Sequence, residues 1–152
     1  GYDIHGPSIE DARSKATAAG VNNVVFDEAD ASSIPSNGGY DFACMFDALH
    51  DMGDPVGVAK HIRESLAPGG TLMVVEPLAG DKTEDNLHPL GGAFYAASTL
   101  ICLPNSRSHD VALCLGAQAG PKRLIAVLED AGFSSVRIAT TSATNIVLEA
   151  TA

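Results

Sequence analysis

The sequence predicts an α/β protein with a mostly parallel sheet that ends in an antiparallel hairpin. Three observations lead there. Short continuous apolar runs alternate with segments of helical periodicity, the pattern of a parallel sheet covered on both faces. One run, Thr71 to Val75, is almost wholly apolar and reads as a central strand. The last twenty residues hold two alternating runs, Val136/Ile138 and Ile146/Leu148, joined by the polar segment TTSAT, which is hairpin spacing. A chain of 152 residues is one domain's worth and can bury a sizeable core.

Each element has its own signals. Pro7 opens a helix running to Ala19, with Ile9, Ala12, Ala16 and Ala19 on one stripe and Gly20 at the cap position. Val24-Val25-Phe26 is a short buried strand, followed by a polar loop through Gly38-Gly39, and Phe42 to Phe46 is the next strand. Asp54-Pro55 pairs an N-cap with a proline at the first helical position, ahead of Val58, Ala59, Ile62 and Leu66 on one face. Pro68-Gly69-Gly70 stops that helix before the Thr71–Val75 strand. From about 78 to 120 the composition changes, and an apolar stretch from Phe94 to Leu103 marks an inserted helical segment at the mouth of the sheet. Pro121 starts a helix with Leu124, Ile125 and Leu128 inward, closed by Gly132, and the hairpin follows. The whole of 1–152 is read as one domain carrying that insert.

Composition excludes several classes. Hydrophobic residues make up 45% and charged residues 18%, which is not the balance of a disordered chain. A net charge of −10 repels phosphate backbones, so no nucleic-acid partner is expected for this chain alone. No apolar run approaches the ~18 residues of a membrane span, so no membrane role is expected. Cys44, Cys102 and Cys114 are an odd count without metal-type spacing, and read as reduced, mostly buried thiols of a cytoplasmic protein. The P-loop pattern GxxxxGK[ST] is absent.

The residues then reach a family. GYDIHGPSIEDAR resembles the second strand and following helix of class I S-adenosylmethionine-dependent methyltransferases. VVFDEADASSIP resembles their third strand and YDFACMFDALHDMGDP their fourth. LAPGGTLMVVEP is similar to their fifth-strand signature, and AGFSSVRIA with NIVLEA to the closing hairpin. The match runs in order along essentially the whole chain. It implies a Rossmann-like methyltransferase sheet, S-adenosylmethionine as cofactor and a small-molecule methyl acceptor, with small-molecule O-methyltransferases the nearest type. The family's first strand and its glycine-rich loop have no counterpart here, and no GxG occurs in the sequence. The expected sheet therefore lacks a strand between the second and fourth. The chain reads as a fragment that by itself binds cofactor weakly, and that either associates with the missing N-terminal segment or self-associates as a homodimer, because open inner edges need cover.

The resemblance also nominates a site. Asp3, ending a strand, would accept both ribose hydroxyls, with a local helix-start role as the alternative. Ile4 would pack on adenine. Asp30 would accept the adenine amino group and Ala31 would offer its N–H, against an ordinary Asx turn. Phe46 would line the cofactor site or simply belong to the core. His50, in ALHDMGDP, falls where O-methyltransferases hold the histidine that deprotonates the acceptor hydroxyl, although Met52 replaces their usual tryptophan; the alternative is a packing role. Asp51 or an acid elsewhere would orient its ring. Phe94, Tyr95 and Gln118 would form the acceptor pocket. Asp47, His50, Asp51, Asp54, Glu76 and His88 are metal-capable types, but their spacing matches no ligand motif, so no metal is expected. His61 reads as a surface residue. Besides methyl transfer, the alternatives are a non-enzymatic methyltransferase-like binding or assembly domain, and an NAD-binding oxidoreductase.

Overall fold

In the computed structural model, which describes residues 1–37 and 39–152, the strands fall into two sheets. The smaller pairs β1 (Tyr2–Asp3) with β2 (Asp27–Glu28) in parallel, and α1 (Gly6–Ala18) crosses between them. The larger has the order β3-β4-β6-β5, from β3 (Tyr40–Phe46), β4 (Leu66–Pro77), β5 (Ser135–Thr141) and β6 (Asn145–Thr151). β3 and β4 are parallel, with Phe42 opposite Thr71 and Phe46 opposite Val75. β6 is antiparallel to both β4 and β5, so the closing hairpin places its second strand inside and its first at the edge. The divide between the sheets falls between β1 and β3, where the family would place its first strand. Across it, the Tyr2 and Tyr40 hydroxyls meet at 3.1 Å.

Helix starts act as read, but one stop does not: the helix begun at Pro55 ends at Ser65, and Leu66 with Pro68-Gly69-Gly70 lies within β4. The Asp54 carboxylate accepts the Gly57 N–H at 2.9 Å and caps α2 (Pro55–Ser65). Gly20 and Gly132 take φ of +68° and +91° just past α1 and α5 (Gly120–Asp130), a conformation that side chains with a Cβ rarely adopt. α2 and α5 bury Val58, Ala59, Ile62, Leu124, Val127 and Leu128 against Leu72, Val74, Ile146, Leu148 and Ala150 of the sheet. The insert forms α3 (Pro89–Ala97), a π-helical turn over Ser98–Cys102, and α4 (Leu103–Arg107).

The structure corrects three further expectations. Val24-Val25-Phe26 is not a strand; pairing begins at Asp27, because the partner strand offers only Tyr2 and Asp3. The larger sheet is covered on one face, since α1 packs on the small sheet instead. On its other face Phe42 and Phe46 are 54% and 61% exposed. Cys44, which alternates with the buried Met45, is exposed with them rather than buried. The expected loop at Gly38 lies outside the described residues. No helix among the described residues is long and apolar enough to cross a membrane.

Candidate active site

The site grows from the carboxyl ends of β3 and β4. After Phe46 the chain turns through Asp47, at φ +45°, whose amide bonds the Val75 carbonyl at 2.8 Å. It then enters a short 3-10 turn over Leu49–Asp51. Leu49 is fully buried in the core and fixes that turn, which sets His50 beside Glu76 at the end of β4. Glu76 is itself 1% exposed. One of its oxygens accepts the Leu49 N–H at 2.9 Å, and the other lies 2.5 Å from His50 Nδ1. A carboxylate only accepts, so Nδ1 carries the hydrogen and Nε2 is the ring's open position. Burial pulls the imidazole's pKa down, but the hydrogen bond and charge of Glu76, joined by Asp51 and Asp47, outweigh it and raise it above 6.5.

Nε2 faces Asp51 Oδ1 at 3.4 Å, and that oxygen is buried without a hydrogen-bond partner. Beside it stands Cys102, whose thiol is pushed up to about 11 by burial first and then by Asp51. Cys102 arrives from the insert, which is stitched to the His50 turn through four consecutive carbonyls. His50 O accepts the Gly116 N–H at 3.2 Å and Gly53 O the Leu113 N–H at 3.0 Å. Asp51 O accepts Asn105 Nδ2 at 3.0 Å and Met52 O the Ser106 hydroxyl at 2.8 Å. The π turn and α4 put Ser98, Cys102 and Ser106 inward, and the π turn leaves Leu100 and Ile101 outside, 77% and 63% exposed.

The other nominated residues sit as follows. Asp3 ends β1 and Ile4 follows it, with Asp3 Oδ1 accepting the His5 N–H at 2.8 Å and Ile4 71% exposed. Asp30 and Ala31 follow β2; Asp30 accepts the Ser32 N–H at 2.8 Å and also bonds its hydroxyl, which lowers its pKa. That is the Asx-turn geometry weighed against adenine binding, and one oxygen of each acid remains for a ligand. Phe46 ends β3 and is mostly exposed rather than a core aromatic. Phe94 and Tyr95 are half-buried on α3, and Tyr95 lines an open cleft with Asn86, Leu87, His88, Pro89 and Gly92, none of them beside His50 in sequence. Gln118 lies in the loop that bonds His50 O, and both its amide atoms are buried without partners.

Of the metal-capable residues, Asp54 caps α2, His88 Nδ1 accepts the Gly91 N–H and Asp47 accepts Asn145 Nδ2. His61 is half-buried, its Nε2 2.7 Å from the Ile34 carbonyl, rather than on the surface. In the sequence, Glu76 stands out only as a metal-capable type. Its signal was there: one acid closing an otherwise apolar strand, TLMVVE.

A parallel sheet ending in this hairpin, with an acid-held histidine at its carboxyl edge, defines a class, and comparison agrees. A family model described as a methyltransferase domain matches residues 1–132. The chain belongs to that family, with the class I S-adenosylmethionine-dependent methyltransferase fold. An O-methyltransferase family protein from Burkholderia thailandensis superposes with a TM-score of 0.70 at 22% identity, over 99% of this chain and 42% of its own. A Methanosarcina mazei S-adenosylmethionine-dependent methyltransferase gives 0.67 at 22% identity, over 99% and 80%. Human N-acetylserotonin methyltransferase, in complex with S-adenosylmethionine, gives 0.59 at 24% identity, over 83% and 33%. The chain spans about half or less of the length of several structures that it matches.

Proposed function

We propose that the chain supports methyl transfer from S-adenosylmethionine to a hydroxyl oxygen of a small molecule, with His50 as general base. The buried His50–Glu76 pair carries this reading. Asp3, Ile4, Asp30, Ala31 and Phe46 would hold the cofactor: all stand at or just beyond strand carboxyl ends, and the exposed Ile4 and Phe46 suit the faces of an adenine ring. When bound, the cofactor supplies a methyl group already activated on a sulfonium. His50 Nε2 takes the hydroxyl proton as the oxygen's lone pair turns to the methyl carbon, and Glu76 holds the imidazolium that results. His50 is 5% exposed, so an acceptor reaches its ring past the insert, where Phe94, Tyr95 and Gln118 are the pocket candidates. Proximity supplies the rest of the rate.

His50→Gln should lower turnover by ~10²-fold with S-adenosylhomocysteine binding intact. Loss of both would make His50 a pocket residue. A second reading, a methyltransferase-like assembly or ligand-sensing domain, has the divided sheet as its support. Calorimetric titration of the full-length protein with S-adenosylhomocysteine and with NAD separates these: binding of the first alone supports the enzyme, and binding of neither supports the assembly domain. As partner, a second copy of the chain fits the uncovered sheet face around Phe42 and Cys44, and concentration-dependent sedimentation tests it.

A further inference from the structure

Three side chains of different chemistry converge where the insert closes on the His50 turn. One ligand atom each from His50, Asp51 and Cys102 lies within 4.8 Å of the others, a grouping that recurs nowhere else among the described residues. Ligand atoms around a tetrahedral zinc ion, at bond lengths of ~2.0–2.3 Å, stand roughly 3.3–3.8 Å apart. The 3.4 Å between His50 Nε2 and Asp51 Oδ1 already has that span.

The surroundings point independently to a cation. Asp51 Oδ1 is buried with no hydrogen-bond partner. It faces Nε2, whose lone pair is left open because Nδ1–H is committed to Glu76. Two acceptors thus look at one another with no hydrogen to share in the neutral ring. Ring protonation, the hydrogen of the adjoining Cys102 thiol or a metal ion can each resolve that, and a metal ion engages all three groups at once. Charge balances as well. A neutral imidazole, a carboxylate and a thiolate cancel a divalent ion, with the thiol proton passing to solvent on coordination. The carboxylate of Glu76 behind the imidazole is the usual support for a metal-bound histidine, fixing its tautomer and raising its basicity. A nitrogen, oxygen and sulfur set excludes magnesium and calcium in favour of zinc-like ions.

We propose that His50, Asp51 and Cys102 form a binding site for a zinc-class divalent cation, assembled only when the insert docks on the His50 turn. Spacing along the sequence hides it, because the third ligand comes from the π turn of the insert. The site's consequence for catalysis rests on the general-base reading: the cation and the acceptor proton compete for the same lone pair, so zinc inhibits.

The test uses the whole chain, reduced and stripped of metal, titrated with Co²⁺. The expected result is one bound equivalent by equilibrium dialysis, with a thiolate-to-cobalt charge-transfer band that Zn²⁺ bleaches. Cys102→Ser should abolish the band, His50→Gln should weaken binding by at least ~10-fold, and Glu76→Gln by ~10–100-fold. Cys44→Ser and Cys114→Ser should leave the band in place. Absence of the band in the wild-type chain, its survival in Cys102→Ser, or its loss in Cys114→Ser would overturn the site. A chain that binds cobalt as expected, but whose turnover ignores zinc, keeps the site and removes the base.

Discussion

Glu76 divides its two oxygens between a backbone amide and a ring, and the division explains why one acid can be so deeply buried. The Leu49 N–H and His50 Nδ1–H together satisfy a carboxylate that would otherwise be costly away from water. The paired histidine titrates above its ordinary value, and the sign of the linkage follows. Its contribution to stability is complete below about 6.5 and is lost as pH climbs through the raised folded value. The urea midpoint of the wild-type chain should therefore converge on that of His50→Gln as pH rises from ~6; a gap that widens would contradict the pairing. Glu76→Gln removes the charge that raises the imidazole. With chelator present, the acid limb of its pH–rate profile should move to lower pH while turnover falls by ~10-fold or more. At the cofactor edge, Asp3→Ala in the full-length protein should weaken S-adenosylhomocysteine by roughly tenfold or more, the worth of a hydrogen bond to a charged group. Asp30→Ala should cost less, since water can replace one contact there. An unchanged dissociation constant for Asp3→Ala would remove that residue from the site.

Elements differ sharply in what holds them. α5 turns Leu124, Val127 and Leu128 onto the sheet, whereas the π turn presents Leu100 and Ile101 to solvent. Leu128→Ala should destabilise the fold by ~2–5 kcal/mol, while Leu100→Ala should stay within ~0.5 kcal/mol, as read from chemical denaturation. Equal effects would mean that the outer face of the insert is buried in solution. The same contrast shows what was legible in the sequence. α2 and α5 were readable because Asp54-Pro55, Pro121 and Gly132 are local signals with local causes. The strand at Val24–Phe26 misled because a strand's length is set by its partner, here only two residues long. The site was half legible. His50 lay in a motif, but Glu76 and Cys102 join it through β4 and the π turn, and no spacing rule within one segment records contacts between segments.

The molecule as a whole is a four-stranded sheet, covered on one face by two helices, beside a two-stranded one. Small parallel ladders open more easily than a sheet backed by two helices. Hydrogen exchange should therefore find the Asp27 and Ala29 amides, bonded to Gly1 and Asp3 carbonyls at 3.0 Å, far less protected than those of Leu72 and Val74 in β4. Comparable protection would mean that the two sheets unfold as one unit. The divide between them also has an optical consequence. The chain has no tryptophan and three tyrosines, and two of these, Tyr2 and Tyr40, touch hydroxyl to hydroxyl across the gap. That hydrogen bond is the main cause holding the Tyr2 phenol above its usual pKa. Most of the protein's intrinsic near-ultraviolet signal thus originates at the seam, so a strand or second chain sliding between the half-sheets would announce itself in tyrosine emission, with no label attached.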